Sequence, residues 1–153
     1  MIHLNPEHLQ TIYSHAETTY PEECCGLLLG SLTDSNKIAL EVIPTENAWS
    51  ETSDPFEDST ATKQRRYTIA PQVMLQVQKD ARDRNLSIIG IYHSHINNPA
   101  NPSEFDRQLA WQEYSYLIVS VMDGKVAGIK SWILDDNHQF QAEAMDVGSY
   151  KKE

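Results

Sequence analysis

Two histidines stand one residue apart in His93-Ser94-His95, and a short loop later comes Ser103-Glu104-Phe105-Asp106. On a strand, residues i and i+2 project to one side about 6.5–7 Å apart, so both imidazoles can converge on a single ion. A carboxylate supplied by the first turn of a helix after Ser103 completes a His, His, Asp set with a fourth position left open. That is the ligand pattern of a catalytic zinc site, and it implies hydrolysis or a related Lewis-acid reaction. Two blander readings compete. Histidines are common near strand ends, and Ser103-x-x-Asp106 is also a capping box that starts a helix with no catalysis. Cap and ligand are compatible, because Asp106 has two oxygens. A zinc hydrolase also needs a base, for which a carboxylate is the usual choice. Glu22 and Glu23 directly precede an apolar run, where partial desolvation raises a carboxylate's pKa. By composition alone they are two exposed acids before a strand.

The elements that must hold these residues can be read from periodicity. Asn5-Pro6 is an N-cap followed by proline at the first helical position, and Leu9, Ile12, Tyr13 and Ala16 recur at helical spacing, which predicts a helix over 6–18. Cys24 to Leu29, closed by Gly30, reads as a strand buried on both faces, with Ile38 to Ile43 as its partner. From Asn47 to Arg66 the periodicity disappears. A loop of that length is usually functional or mobile, and it is read here as a substrate flap or a solvated insertion. Tyr67 to Ala70 looks extended. Val73, Met74, Val77 and Ala81 mark the inner face of a helix from Pro71 to near Asn85. Ser87 to His95 begins as an apolar strand and turns polar where a buried strand should end, and there a site is expected. Asn97 to Pro102 is a loop and Ser103 to about Glu113 a helix. Three strands follow at Tyr116 to Met122, Val126 to Leu134 and about Gln139 to Ala144, with Asp123-Gly124 as a tight hairpin turn.

Bulk properties narrow the function class. A chain of 153 residues, 40% hydrophobic and 22% charged, is ordinary for one globular domain. Its formal charge of −10 would repel nucleic acid and anionic membranes, so neither is expected as a partner. No window approaches the roughly 20 apolar residues of a membrane helix. Lys37 is the first basic residue, so the positive flank of a secretory signal and the Arg-rich bias of a transit peptide are both missing. Cys24 and Cys25 are adjacent and have no ordinary geometry for a mutual disulfide. A cytoplasmic location is the expectation.

Glu23-x-x-Gly26, then His93-x-His95, then Ser103-x-x-Asp106 resembles the JAMM motif of the MPN+ metalloproteases, the Mov34 and PAD-1 domain family, and specifically its small prokaryotic single-domain members. The likeness spans most of the chain, with Pro21 to Gly26, Arg66-Tyr67, Gly90 and Tyr116 to Val121 in the expected order. The resemblance implies an α/β fold, a single MPN-type domain over 1–147 with a frayed tail at 148–153. Its curved mixed β-sheet would be flanked by about three helices, layered as in cytidine deaminases. It implies His93, His95 and Asp106 as ligands of one Zn2+ per chain, Glu23 as general base and acid, and Ser103 as hydrogen-bond donor to the oxyanion. Glu23 is preferred over Glu22 because the motif places the acid three residues before Gly26. The implied substrate is a peptide or isopeptide bond at the C-terminus of a ubiquitin-like or sulfur-carrier protein, whose tail ends in Gly-Gly. Asn97, Asn98 and Asn101 depart from relatives that often have a proline soon after the second histidine, which puts the wall of the site in question but not its ligands.

The alternative is a non-catalytic MPN-type interaction scaffold; oligomeric state, a homo-oligomer included, is open. A cysteine protease built on Cys25 is disfavoured because buried cysteines are usually packing groups, and the Pro-Cys-x-x-Cys signature of a zinc deaminase is absent. His3, His8, His15 and His138 are expected at the surface. Trp49, Trp111 and Trp132 are expected to pack, with Trp49 watched for its place beside the long loop.

Overall fold

The computed structural model describes residues 1–51 and 60–148. Residues 52–59 of the expected flap and all but the first residue of the expected tail therefore lie outside the described residues. Helix α1 (Pro6–Thr19) begins where Asn5-Pro6 places it, with the Asn5 backbone N–H donating to His8 Nδ1 at 3.1 Å. Helix α2 (Pro71–Asp83) likewise has proline in its first turn. Between them, β2 (Cys25–Thr33) and β3 (Asn36–Thr45) form an antiparallel pair.

The strand β4 (Ser87–Ile96) lies antiparallel to β2 and parallel to β5 (Ser115–Met122), while β6 (Lys125–Leu134) and β7 (Phe140–Glu143) complete the run of antiparallel strands. The β5–β6 turn has Asp123 and Gly124 at φ of 51° and 83°, the left-handed pair that a two-residue hairpin demands. Two strands escaped the sequence reading. β1 (Ile2–Leu4) and β8 (Met145–Val147) are three residues each and pair in parallel with one another, β1 also with β3. The sheet order is β7-β6-β5-β4-β2-β3-β1-β8. Its two edge strands are thus consecutive in the chain, separated only by Ala144, whose carbonyl accepts from Ile2 N–H at 3.0 Å. The sheet has curled until its edges meet.

Each face of the sheet carries its own core. Leu9, Ile12, Tyr13 and Ala16 of α1 pack against Leu28, Tyr92, Leu117 and Val119. Met74, Val77 and Ala81 of α2 pack on the other face against Leu27, Leu29, Ile91 and Tyr116. This split follows from the alternation of side chains along a strand, and it explains why the run Cys24 to Leu29 is apolar throughout. Gly26 is required because Tyr92 fills the space a side chain would take; an added Cβ would lie 2.3 Å from its ring.

Several expectations need correction. Val73 is 38% exposed and does not belong to the inner face of α2. Tyr67 to Ala70 joins no strand ladder. The helix expected to reach Glu113 is only α3 (Glu104–Leu109), because Ala110 turns extended with ψ of 154°. His15 is half-buried and shares a 2.7 Å hydrogen bond with the Tyr92 hydroxyl. Trp111 is 64% exposed, whereas Trp49 is buried.

Candidate metal centre

The end of β4 positions both histidines. Their side chains lie on the face of Ile91, under α2, while Ser94 points the other way and accepts from Cys24 N–H at 2.8 Å. β2 runs antiparallel with Cys25 opposite His93, so the residues that lead into β2 arrive beside the end of β4. That register brings Glu23 to the site. The loop after β4 is fixed by Asn97 N–H to Val121 carbonyl at 2.7 Å, Ser120 Oγ to Asn98 carbonyl at 2.7 Å and Trp132 Nε1 to Ala100 carbonyl at 3.0 Å. It returns the chain so that α3 starts against the strand end.

At that start both readings of Ser103-x-x-Asp106 hold together. Ser103 Oγ accepts from Asp106 N–H at 3.0 Å, and Asp106 Oδ2 accepts from Ser103 N–H at 2.9 Å. The same carboxylate faces both imidazoles, with Oδ2 3.1 Å from His95 Nε2 and Oδ1 3.2 Å from His93 Nε2. One donor atom from each of the three residues lies within 4.8 Å of the others, and all three residues are buried.

The two imidazoles are held differently. His95 Nδ1 lies 2.9 Å from the Pro99 carbonyl, which can only accept, so Nδ1 carries the proton and Nε2 faces Asp106. His93 stacks on Tyr67, ring centroids 4.4 Å apart and 19° between planes; its Nδ1 is buried with no hydrogen-bond partner among the described residues, and its Nε2 has only the Asp106 carboxylate before it. Buried polar atoms are rarely left so. A cation bound between His93, His95 and Asp106 would take His93 Nε2 as a ligand, and a His, His, carboxylate donor set suits zinc. The three residues therefore fit the ion.

In the metal-free protein, burial pushes the Asp106 carboxyl up, but the facing imidazoles of His93 and His95 overcome it and hold it well below the usual carboxylate range. For His95, burial opposes the charged form, yet Asp106 and the Pro99 carbonyl prevail and raise its pKa. Glu23 is 6% exposed, unlike the exposed Glu22. Burial, reinforced by the negative charge of Asp106, pushes its carboxyl well above the ordinary value, and Arg66 opposes them. Glu23, His95, Ser103 and Asp106 line one cavity of about 380 Å³. Asp106 also borders a second cavity of about 230 Å³, walled by Tyr67, Ile69, Met74, Leu109 and Trp111. Trp111 is thus a rim residue and not a packing group.

Sequence reasoning missed Asn47. This buried side chain uses all four of its hydrogen-bonding positions on main chain. Nδ2 donates to the carbonyls of Glu23 at 3.0 Å and Arg66 at 2.9 Å, and Oδ1 accepts from Trp49 N–H at 3.1 Å and Thr68 N–H at 3.2 Å. It ties Glu23 to the segment that carries Tyr67. A single asparagine opening an irregular loop has no local signature, whereas Arg66-Tyr67 did fall within the resemblance. Cys24 and Cys25 are buried, which pushes their thiols up to about 12 and about 11. Neither is an activated nucleophile.

Residues 5–135 match the family model described as prokaryotic homologs of the JAB domain. The chain is similar to the CysO-cysteine peptidase of Mycobacterium tuberculosis, 28% identical over 129 residues that cover 84% of this chain and 79% of that one. Similarity to the desampylase of Pyrococcus furiosus is 27% over 75 residues, 48% of this chain and 50% of that one. Among solved structures, that of a protein from Desulfitobacterium hafniense superposes with a TM-score of 0.79 at 26% identity, covering 98% of this chain and 94% of the other.

Proposed function

Because the chain belongs to the family of prokaryotic homologs of the JAB domain, we propose that it is a zinc-dependent peptidase or isopeptidase acting at the C-terminal tail of a ubiquitin-like or sulfur-carrier protein. Two relatives named as a peptidase and a desampylase support the hydrolase class. The observation that carries the zinc reading is the buried set of His93, His95 and Asp106, one donor atom from each lying within 4.8 Å of the others. Those three residues would hold one ion per chain. Zinc bound there supplies a Lewis acid that brings water within reach of a carboxylate base near neutral pH.

Glu23 accepts the proton of the attacking water and returns it to the leaving nitrogen. Its burial at the edge of the metal set places one carboxylate where it can both take and return the proton. Ser103 Oγ accepts from Asp106 N–H, which leaves its own hydrogen for the carbonyl oxygen as negative charge builds there. A cytoplasmic location belongs to the same proposal.

The test is elemental analysis of the purified protein beside His93→Ala, Asp106→Ala and Glu23→Gln. Expected are about one zinc per chain, lost in the first two variants, and a Glu23→Gln protein that keeps zinc but no longer hydrolyses a Gly-Gly tail. A wild type that takes up no metal when zinc is supplied overturns the reading in favour of a binding scaffold.

A further inference from the structure

Asn97 opens the loop after β4, and the chemistry of the site gives it no task. Its φ of 54° is left-handed, a region that asparagine tolerates better than most residues with a side chain. The reversal turns the chain out of the sheet directly after Ile96, the last residue that pairs with β5. Three bonds hold it there. Asn97 N–H donates to the Val121 carbonyl at 2.7 Å, its Oδ1 accepts from Asp123 N–H at 2.8 Å, and its Nδ2 donates to the Tyr20 hydroxyl at 3.3 Å. A backbone N–H can only donate, so Oδ1 must be the atom that faces Asp123. One side chain thus fastens the loop to the β5–β6 turn and to the residue after α1. The anchor is itself held, because Glu17 Oε2 of α1 accepts from Val126 N–H at 2.9 Å on the far side of that turn.

Directly beyond Asn97 lies the support of His95. The carbonyls of Asn98, Pro99 and Ala100 face Ser120 Oγ, His95 Nδ1 and Trp132 Nε1 in turn. His93 needs no such help, since it pairs with Cys25 of β2 on one side and Ile118 of β5 on the other. The β2 ladder ends at His93, which leaves His95 with a strand partner on the β5 side alone. Resting on the zinc reading, we propose that Asn97 is a positioning residue for the metal centre. Its side chain holds the loop so that the Pro99 carbonyl keeps His95 Nε2 turned to Asp106. Asn97 is exposed and is not among the residues lining the cavity of Glu23 and His95, so it acts through the ligand and not through substrate. A bond from a ligating histidine to a carbonyl fixes the ring, and such outer partners are worth about 10–100-fold in metal affinity or activity. The same loop leads into α3, which carries Asp106, so slack in it reaches two of the three ligands.

The experiment compares the full chain with Asn97→Gly and Asn97→Asp. Glycine adopts the same φ without either side-chain bond, whereas aspartate keeps Oδ1 and offers its second oxygen to the Tyr20 O–H. Zinc affinity, measured by competition with a chromophoric chelator, should fall about tenfold in Asn97→Gly and stay within about threefold of wild type in Asn97→Asp. With zinc saturating, kcat on a tail peptide should fall about fivefold in Asn97→Gly at unchanged KM. In the metal-free proteins, hydrogen exchange at the Asp123 amide should be at least about tenfold faster in Asn97→Gly than in wild type. Affinity and exchange need no turnover, so both remain readable if the peptidase reading alone fails. Equal zinc affinity in Asn97→Gly and wild type overturns the proposal and leaves the zinc reading standing, even where the glycine protein melts earlier, for the residue is then merely structural. So does a loss that Asn97→Asp fails to restore, an Asp123 amide that exchanges equally fast in both, or a rise in KM at unchanged affinity. Should Asn97→Gly not fold, Tyr20→Phe removes the hydroxyl alone and should speed zinc release about threefold, and unchanged release overturns the proposal. A wild type that takes up no zinc overturns both readings.

Discussion

Among the described residues, two of the buried polar clusters are finished to different degrees. Where the sheet edges meet, Glu143 Oε1 accepts from Ser115 Oγ at 2.6 Å and Ser131 Oγ at 2.8 Å, and Lys37 Nζ donates to Ser115 Oγ at 2.8 Å. Donors and acceptors there answer one another. At the end of β4, His95 and Asp106 are partnered but His93 Nδ1 makes no hydrogen bond among the described residues, and Glu23 sits beside them with a carboxyl that burial has pushed upward. A low-dielectric interior penalises every polar group left unpaired. The first cluster meets that cost internally and serves the fold. The second meets it only when something else arrives, which is the physical mark of a site.

Substitutions should separate the two clusters. The largest effect belongs to His95→Ala, or to chelation of the wild type. Turnover should fall by on the order of a thousandfold or more, with bound zinc lost by elemental analysis. Glu143→Ala should do the reverse. It leaves Ser115, Ser131 and the half-buried Lys37 without their carboxylate, at a cost of about 3 kcal/mol in denaturant unfolding, while zinc per chain stays at the wild-type value. A Glu143→Ala protein that loses zinc, or a His95→Ala protein that keeps it, would erase the distinction.

Asn47→Asp sharpens it further, because it preserves the acceptor half of the clasp and removes the donors to Glu23 and Arg66. We expect kcat to fall about tenfold with zinc content unchanged, which steady-state kinetics on a tail peptide would measure. The smallest effect should come from thiol alkylation. Cys24 and Cys25, held up at about 12 and about 11, should resist iodoacetamide in the folded protein at pH 8, with activity retained. Rapid labelling with loss of activity would reopen the cysteine reading.

The parts of this architecture that were legible in the sequence are those written in local physics. His93 and His95 share a face because strands alternate, and Asp106 reaches them because Ser103 caps α3, so both features could be read before any coordinates. The amphipathic stripes of α1 and α2 told which side each helix would bury. Glu23 was separable from Glu22 only through the spacing to Gly26, and the register of β2 against β4 then gave the physical reason. What stayed hidden depends on distant partners. β1 and β8 are too short to show a period and exist because Ile2 lies beside Met145. The extended backbone at Ala110 that cuts α3 short follows no breaker residue, and Asn47 acts through main-chain groups that any residues could have supplied.

The meeting of β1 with β8 also bears on how the chain is made. Ile2 lies opposite Met145, so β1 cannot complete its hydrogen bonding until the chain has been synthesised through β8. α1 and the β2–β3 hairpin can form in order of translation, but the ring of strands cannot close. Pairings between such distant residues slow folding and prolong exposure of unpaired edges. A chain stalled after residue 135 would keep every proposed zinc ligand and still lack the strand that joins the edges. Assembly of the metal centre would then wait until β8 has been made.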